Sequence, residues 1–418
     1  MKIIKGRLIQ APKLGEILAY PNGGILLDED GAILKVYETV PREAPCEVVD
    51  YGDRLIMQSF ADMHLHGPQY PMLGMGMDLP LIEWLKTYAF KTESRFSDPE
   101  YARGVYRKLA HKLIANGTTR IAMFGSLHVD ATLILMEELE KAGLTGYVGK
   151  VNMDRNNEPY LTETTEESER ETLRWLDGCG RFRYIRPILT PRFTPSCTNG
   201  LMAFLGKLSA ERRLPVQSHL SENENEMAWV HELHPDTTHY YQSYQKYGLW
   251  KKRALMAHCV HSDETERKAM KDAGVYLVHC ADSNVNLASG VCPVRTFLNE
   301  GVNVVLGSDI AGGALLPMSQ NIQETIKISK IHSIATKGKD AFLSVNEAYY
   351  LATTAAALYF EGGAGFEEGK KLHAIVVDDG SFCPATRPLS LQERFERAIY
   401  MMGESNIVAV YSEGRKVL

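Results

Sequence analysis

At 418 residues the chain exceeds an ordinary single domain, and one (β/α)8 barrel of ~250 residues with an added module would fill it. Its hydrophobic fraction of 44%, charged fraction of 23% and net charge of −6 are those of a globular chain without the basic surface that nucleic acid requires. With no apolar run near the ~20 residues of a membrane span, and no secretory signal in MKIIKGRLIQAPKLG, the expectation is a cytoplasmic protein acting on a small molecule, with neither nucleic acid nor membrane as a partner.

The opening residues read as β. Ile3 to Ile9 alternates, and Gly24 to Val36 holds two apolar runs around Asp28, Glu29, Asp30 and Gly31, a hairpin pattern. Such a short segment cannot bury its own core. After the glycine-rich link from Glu361 to Gly369, strand-like runs at Ala374 to Val377 and Ile407 to Tyr411 offer a partner. The expectation is a small β-sandwich-like domain built from residues 1–54 and 365–418, with an α/β barrel of the TIM type over 55–364.

Within 55–364 the pattern alternates. Leu55 to His66 reads as one strand. Ser97-Asp98-Pro99 predicts a helix start and Asn116-Gly117 its stop. Strands follow at 118–124, 147–153, 182–190, 216–219, 254–258, 275–279 and 302–307, each followed by a helical pattern, among them 130–142, 165–176 and 199–213. Eight β-then-α units in sequence argue a parallel barrel, whose functional groups gather at the carboxyl ends of the strands.

Those ends carry the chemistry. Period-2 alternation puts His64 and His66 on one side of their strand, although a His-x-His pair taken alone reads equally well as a core pair. Later strands end at Phe124, Met153, Thr190, His219, His258, His279 and Ser308-Asp309, so five of eight ends bear His or Asp in a chain of 13 histidines. His111, His128, His231, His234, His239, His261, His332 and His373 fall in helical or loop patterns and read as ordinary. The stretch from His231 to Tyr241 reads as a tyrosine-rich helix packed on the barrel.

A consistent ligand set for one ion is His64, His66, His219 and Asp309. Imidazole nitrogen with a hard carboxylate suits Zn²⁺, with Fe²⁺ the alternative, and a water would complete the shell. In SHLSE, Glu222 stands three residues past a ligand and can reach a substrate without binding the ion, as a proton shuttle must. That position equally suits a glutamate favoured by a helix dipole. The seven cysteines, Cys46, Cys179, Cys197, Cys259, Cys280, Cys292 and Cys383, lack paired spacings and read as small apolar residues in a reducing compartment.

HLHGPQY, SHLSE, Ala257-His258 and Gly307-Ser308-Asp309 resemble the amidohydrolase superfamily in its one-metal deaminase branch, over roughly residues 55–360. With SFADMHLHGPQY, LPLIEWL, GKVNMDRN, TPRFTPSC, SHLSENENE and SDIAGG, the resemblance narrows to the guanine-deaminating family of that branch and spans nearly the whole chain. It implies hydrolysis of guanine at C2 to xanthine and ammonia, in a homodimer with one Zn²⁺ or Fe²⁺ per chain. Carried over by position, it implies that His64, His66, His219 and Asp309 bind the ion and that Gln69, Arg192, Phe193 and Glu222 meet the purine, with His66, His219 and Asp309 beside it. His258 would stand next to the water, Asp309 would take that water's proton, and Glu222 would protonate the ring. Arg192 would read the guanine oxygen O6.

Two positions depart from that family. Ser308 replaces its usual Thr and Asp282 its usual Asn, and the added charge leaves the role of His279 open. Hydrolases of other rings share the ion set without Arg192-Phe193 and Gln69. A two-metal site would need a lysine at the fourth strand, where Arg186 to Thr190 has none. A barrel that has lost its chemistry normally lacks ligands, whereas all are present here. The unrelated zinc deaminases need His-x-Glu and Pro-Cys-x-x-Cys, both missing from the sequence.

Overall fold

The two ends of the chain pair into a single sheet. In this computed structural model, which describes residues 1–44 and 46–418, the sheet runs Arg415–Lys416, Ile407–Ser412, Ala374–Val377, Glu47–Gln58, Lys2–Gln10, Leu18–Leu27 and Ile33–Tyr37. The sequence predicts a sandwich-like domain, and the hydrogen bonds join its strands into one continuous seven-stranded sheet that brings Gly31 near one edge against Gly414 near the other. The reason is the long Glu47–Gln58 strand, which pairs parallel with Lys2–Gln10 on one side and antiparallel with Ala374–Val377 on the other. One face of the sheet buries Ile4, Leu8, Ile25, Ile56 and Val376 together, while Ile9, Leu55, Met57 and Ile375 join the main core.

The apolar run over 55–66 is not one strand. Leu55 to Gln58 complete the terminal sheet, and after Ser59 a second strand, Phe60–His66, begins with Thr118–Phe124 as its neighbour. Ser59 Oγ meets Thr119 Oγ1 at 2.6 Å at the point where the partner changes. Both faces of both sheets are buried there, so hydrophobicity alone leaves the switch unmarked.

The strands that follow are all parallel. Phe60–His66, Thr118–Phe124, Thr145–Gly149 and Ile185–Pro187 form one four-stranded sheet. Gln217–Leu220, Leu255–His258, Tyr276–His279 and Asn303–Leu306 form another. A parallel bridge between Leu189 and Val216 joins the two sheets at one seam. At the other, Asp309 N donates to His64 O at 2.8 Å and His66 N to Ile310 O at 2.9 Å. Only glycine fits at Gly307, because a Cβ there would stand 2.8 Å from His64 Cβ and 2.9 Å from His64 N.

The predicted strands at 147–153 and 182–190 are each broken. The first divides into Thr145–Gly149 and Val151–Asn152 around Lys150, whose buried ammonium donates to Val151 O and pairs with Glu163 at 2.8 Å. The second yields only Ile185–Pro187, with Thr190–Pro191 beyond it, because Pro187 and Pro191 have no N–H for a ladder.

The connecting helices start where their caps stand. Asp98 accepts from Glu100 N and Tyr101 N to open Pro99–Ala115, and Thr164 with Glu167 forms a capping box for Thr165–Cys179. The stretch from His231 to Tyr241 is not a single helix. Glu224–Leu233 stops before His234-Pro235, since proline disfavours helical backbone in the residue before it, and Tyr241–Gln245 starts afresh. Tyr240, Tyr241 and Tyr244 pack into the core. Among the described residues no helix is long and apolar enough to cross a membrane.

Candidate active site

All seven residues of the Phe60–His66 strand are buried, so His64 and His66 reach their positions inside a dry wall. Their Nε2 atoms lie 3.1 and 3.3 Å from Asp309 Oδ1, and His219 Nε2 lies 3.3 Å from His66 Nε2. Four side chains from three distant segments therefore converge. Among the described residues, the groups whose ligand atoms lie within 4.8 Å of one another are His64, His66 and His219, and His64, His258 and Asp309. The histidines read as ordinary are in neither group.

The protonation states suit a cation. Burial pulls His64 below the usual imidazole value and His66 to about 4, and burial with neighbouring imidazoles holds His219 well below it, so all three are neutral. Burial pushes the Asp309 carboxyl up, but His64, His66 and His258 outweigh it and leave the group ionised, well below the usual carboxylate range. His219 Nδ1 bonds Arg192 O at 2.6 Å, which assigns its proton there and frees the Nε2 lone pair. His64 Nε2 and His258 Nε2 are buried without a hydrogen bond, and three neutral imidazoles with one carboxylate are a donor set that fits a divalent ion.

Strand ends and tight turns aim the remaining groups. His258 and Asp309 both adopt positive φ, 75° and 48°, a left-handed conformation uncommon for residues other than glycine. His258 Nδ1 meets Asn284 Oδ1 at 2.8 Å, and its Nε2 faces Glu222 Oε2 at 3.5 Å. Glu222 Oε1 accepts from Ser289 Oγ at 3.1 Å. Burial and the nearby Asp309 push its carboxyl up to about 8, which keeps it protonated at neutral pH.

The same cavity is lined by Gln69, Arg192 and Phe193. Arg192 is clamped by Glu93, with Nη1 to Oε2 at 2.5 Å and Nη2 to Oε1 at 3.0 Å. Gln69 Nε2 donates to the same Glu93 Oε1 at 2.8 Å, and its own Oε1 accepts from Ala311 N at 3.0 Å. Each keeps further donors for a ligand. The Phe193 ring meets Trp229 edge-on at 6.2 Å and closes one side of the cavity.

Every site residue proposed from the sequence thus lies at this one cavity or in the candidate ligand groups beside it: His64, His66, Gln69, Arg192, Phe193, His219, Glu222, His258 and Asp309. Several supporting groups were not legible there. Glu93, Ser283, Asn284 and Ser289 stand in no motif that marks them. Asp62 did carry a signal, a charge in an apolar strand two residues before His64. It accepts from Ser308 N at 2.9 Å and Ser308 Oγ at 2.5 Å and so fixes the turn that presents Asp309. The Ser308 hydroxyl therefore does what a threonine's would. Asp282 accepts from Ala314 N at 2.7 Å, which gives its charge a structural use, while both ring nitrogens of His279 are buried without partners.

Comparison with known proteins agrees with this geometry. A family profile described as "Amidohydrolase family" matches residues 55–417. The chain belongs to the amidohydrolase family. Relatives in that family include the guanine deaminase of Dictyostelium discoideum, 34% identical across 100% of this chain and 98% of its own length. The Escherichia coli (strain K12) guanine deaminase is 30% identical over 100% and 95%. The crystal structure of guanine deaminase from C. acetobutylicum with bound guanine in its active site superposes with a TM-score of 0.96 at 41% identity, covering all of both chains. A zinc-bound adenosine deaminase from Xanthomonas campestris, at 20% identity and a TM-score of 0.83, shares the amidohydrolase fold.

Proposed function

We propose that this amidohydrolase hydrolyses guanine at C2, giving xanthine and ammonia in purine catabolism. The observation that carries the reading is the Gln69, Glu93 and Arg192 chain, which sets an amide and a guanidinium in the same cavity as Glu222, His258 and Asp309. An arginine and an amide match the O6 and ring N–H pattern of guanine. The full-length likeness to a guanine-bound relative supports the same substrate.

His64, His66, His219 and Asp309 would hold one divalent ion per chain, Zn²⁺ in the first instance and Fe²⁺ as the alternative. When bound, it supplies a Lewis acid that makes water nucleophilic at neutral pH. The chain's own residues do the rest. Arg192 and Gln69 fix the ring so that C2 faces Asp309, and Phe193 packs along it and excludes water. As the water oxygen adds to C2, Asp309 accepts its proton and Glu222, protonated in the resting site, gives one to the ring. His258 Nε2, oriented by Asn284, accepts a hydrogen bond from the water. The proton held by Asp309 then passes to the amine, which leaves as ammonia when the C2–N bond breaks, while the new C2 hydroxyl returns a proton to Glu222 and becomes the carbonyl of xanthine. Two carboxyls in unlike settings, one held ionised and one held protonated, divide base and acid work.

The same reading takes the eight parallel strands as a closed TIM-type barrel over residues 55–364, with 1–54 and 365–418 as a terminal β domain. It takes the protein as a cytoplasmic homodimer. The test is ammonia release over a panel of purines, pyrimidines and triazines, with metal content measured on the same sample. Turnover confined to guanine and close relatives supports the proposal; a triazine or adenine preference removes it.

A further inference from the structure

A second cavity, of about 440 Å³, opens at the other end of the parallel strands, beside the starts of Thr118–Phe124, Thr145–Gly149 and Ile185–Pro187. Its volume is in the range of small-ligand pockets. Arg120 is the innermost cation. It shares a strand face with Ala122, whose side chain packs among Met63, Tyr147 and Ala257 on the inner side of the sheets. Among the described residues no carboxylate pairs with Arg120. Burial pulls its guanidinium down to about 10, and Glu413 is the one charge that opposes this.

Two more arginines line the rim, Arg183 over the Tyr184 ring at 5.1 Å and Arg186 over the Tyr147 ring at 4.8 Å. Each guanidinium lies on an aromatic face and, among the described residues, pairs with no carboxylate, the Glu140 carboxylate being taken up by the Arg183 backbone N at 3.0 Å, so the side-chain N–H groups stay free for a ligand. Lys370 and Lys371 add two ammonium groups, bonded to the Glu361 and Asp30 carbonyls at 2.9 and 2.6 Å, contacts that leave their charge uncancelled. Of the two acids of the lining, Glu361 pairs with Arg253 at 2.8 Å, while Glu413 bonds His373 at 3.0 Å and also attracts Arg120 and Lys371. A chain of net charge −6 thus gathers five cations around one concavity against two lining carboxylates, and among the described residues none of the five forms an ion pair with a carboxylate.

We propose that this cavity is a binding site for a phosphate group, either free or carried by a nucleoside monophosphate. Planar guanidinium forks match phosphate oxygens bidentately, and a mostly buried Arg120 supplies the depth that a surface patch lacks. The site lies at the opposite end of the strands from Asp309 and does not depend on the proposed reaction.

The test is calorimetric titration of the full-length protein at constant ionic strength, with inorganic phosphate and with guanosine monophosphate in separate arms. Binding in the millimolar range or tighter is expected, weakened about tenfold or more in Arg120→Met and in an Arg183→Ala, Arg186→Ala double variant. The double variant alters only exposed side chains, so it decides the matter if Arg120→Met does not fold. Arg192→Ala, in the other cavity, should bind phosphate as the parent does. Tighter binding of the nucleotide assigns the site to nucleotides, and equal binding assigns it to free phosphate. Absence of binding, equal affinity in the rim variants, or loss in Arg192→Ala would overturn the proposal.

Discussion

Arg192 and Glu93, 99 residues apart in sequence, face each other through two parallel hydrogen bonds inside the candidate active site, and both side chains are less than a tenth exposed. The pair sets the guanidinium plane before any ligand arrives. Removing one partner of a buried ion pair leaves the other charge uncompensated. Glu93→Ala is therefore expected to cost about 3–5 kcal/mol of stability and to raise KM for guanine. Thermal unfolding and steady-state kinetics check both; a variant with parental KM would separate Glu93 from substrate positioning.

Arg192→Ala bears on what the pair recognises. A hydrogen bond to a charged group contributes roughly 1.5–3 kcal/mol, so guanine should lose about 10- to 100-fold in kcat/KM. A 2-aminopurine without the O6 oxygen should lose far less. Equal losses for the two substrates would discard O6 as the group read.

Glu222→Gln separates proton transfer from ion binding. Because Glu222 is bonded to Ser289 and does not belong to either ligand group, the variant should keep its metal while kcat falls by roughly 10²- to 10⁴-fold. Metal analysis beside turnover is the check, and metal loss would count against the assignment.

The same carboxyl predicts a pH dependence. Burial and Asp309 raise it to about 8 in the folded protein, whereas an unfolded glutamate titrates near ~4.3. Its folded-state pKa lies above the unfolded one, so the contribution to stability is full below ~4.3 and is lost as pH rises through about 8. In metal-free protein, denaturant midpoints for parent and Glu222→Gln should diverge between pH 5 and 9, with the parent losing more. An identical pH response would show that Glu222 is already ionised.

Asp282 offers a milder test. Its carboxylate accepts from Ala314 N, and an asparagine oxygen can do the same. Asp282→Asn should leave stability within about 0.5 kcal/mol and turnover near the parental value. A large change would give the charge a role beyond holding the backbone after Asp309.

The sequence by itself determined the candidate ion ligands and the alternating α/β order. His64, His66, His219 and Asp309 could be read because strand periodicity and a position at a strand's carboxyl end are local properties that a one-dimensional pattern carries. The partners that hold those groups could not be read that way. Asp62 meets Ser308 across 246 residues and Ser289 meets Glu222 across 67, and no local pattern encodes such pairings. Hydrophobicity also hid the change of sheet at Ser59, because the chain is buried on both faces before and after it. Tertiary structure decided these matters. It paired Glu93 with Arg192, joined strands from both termini into one seven-stranded sheet, and gathered five cations around a concavity at the other end of the parallel strands, since each depends on which distant segments finally touch.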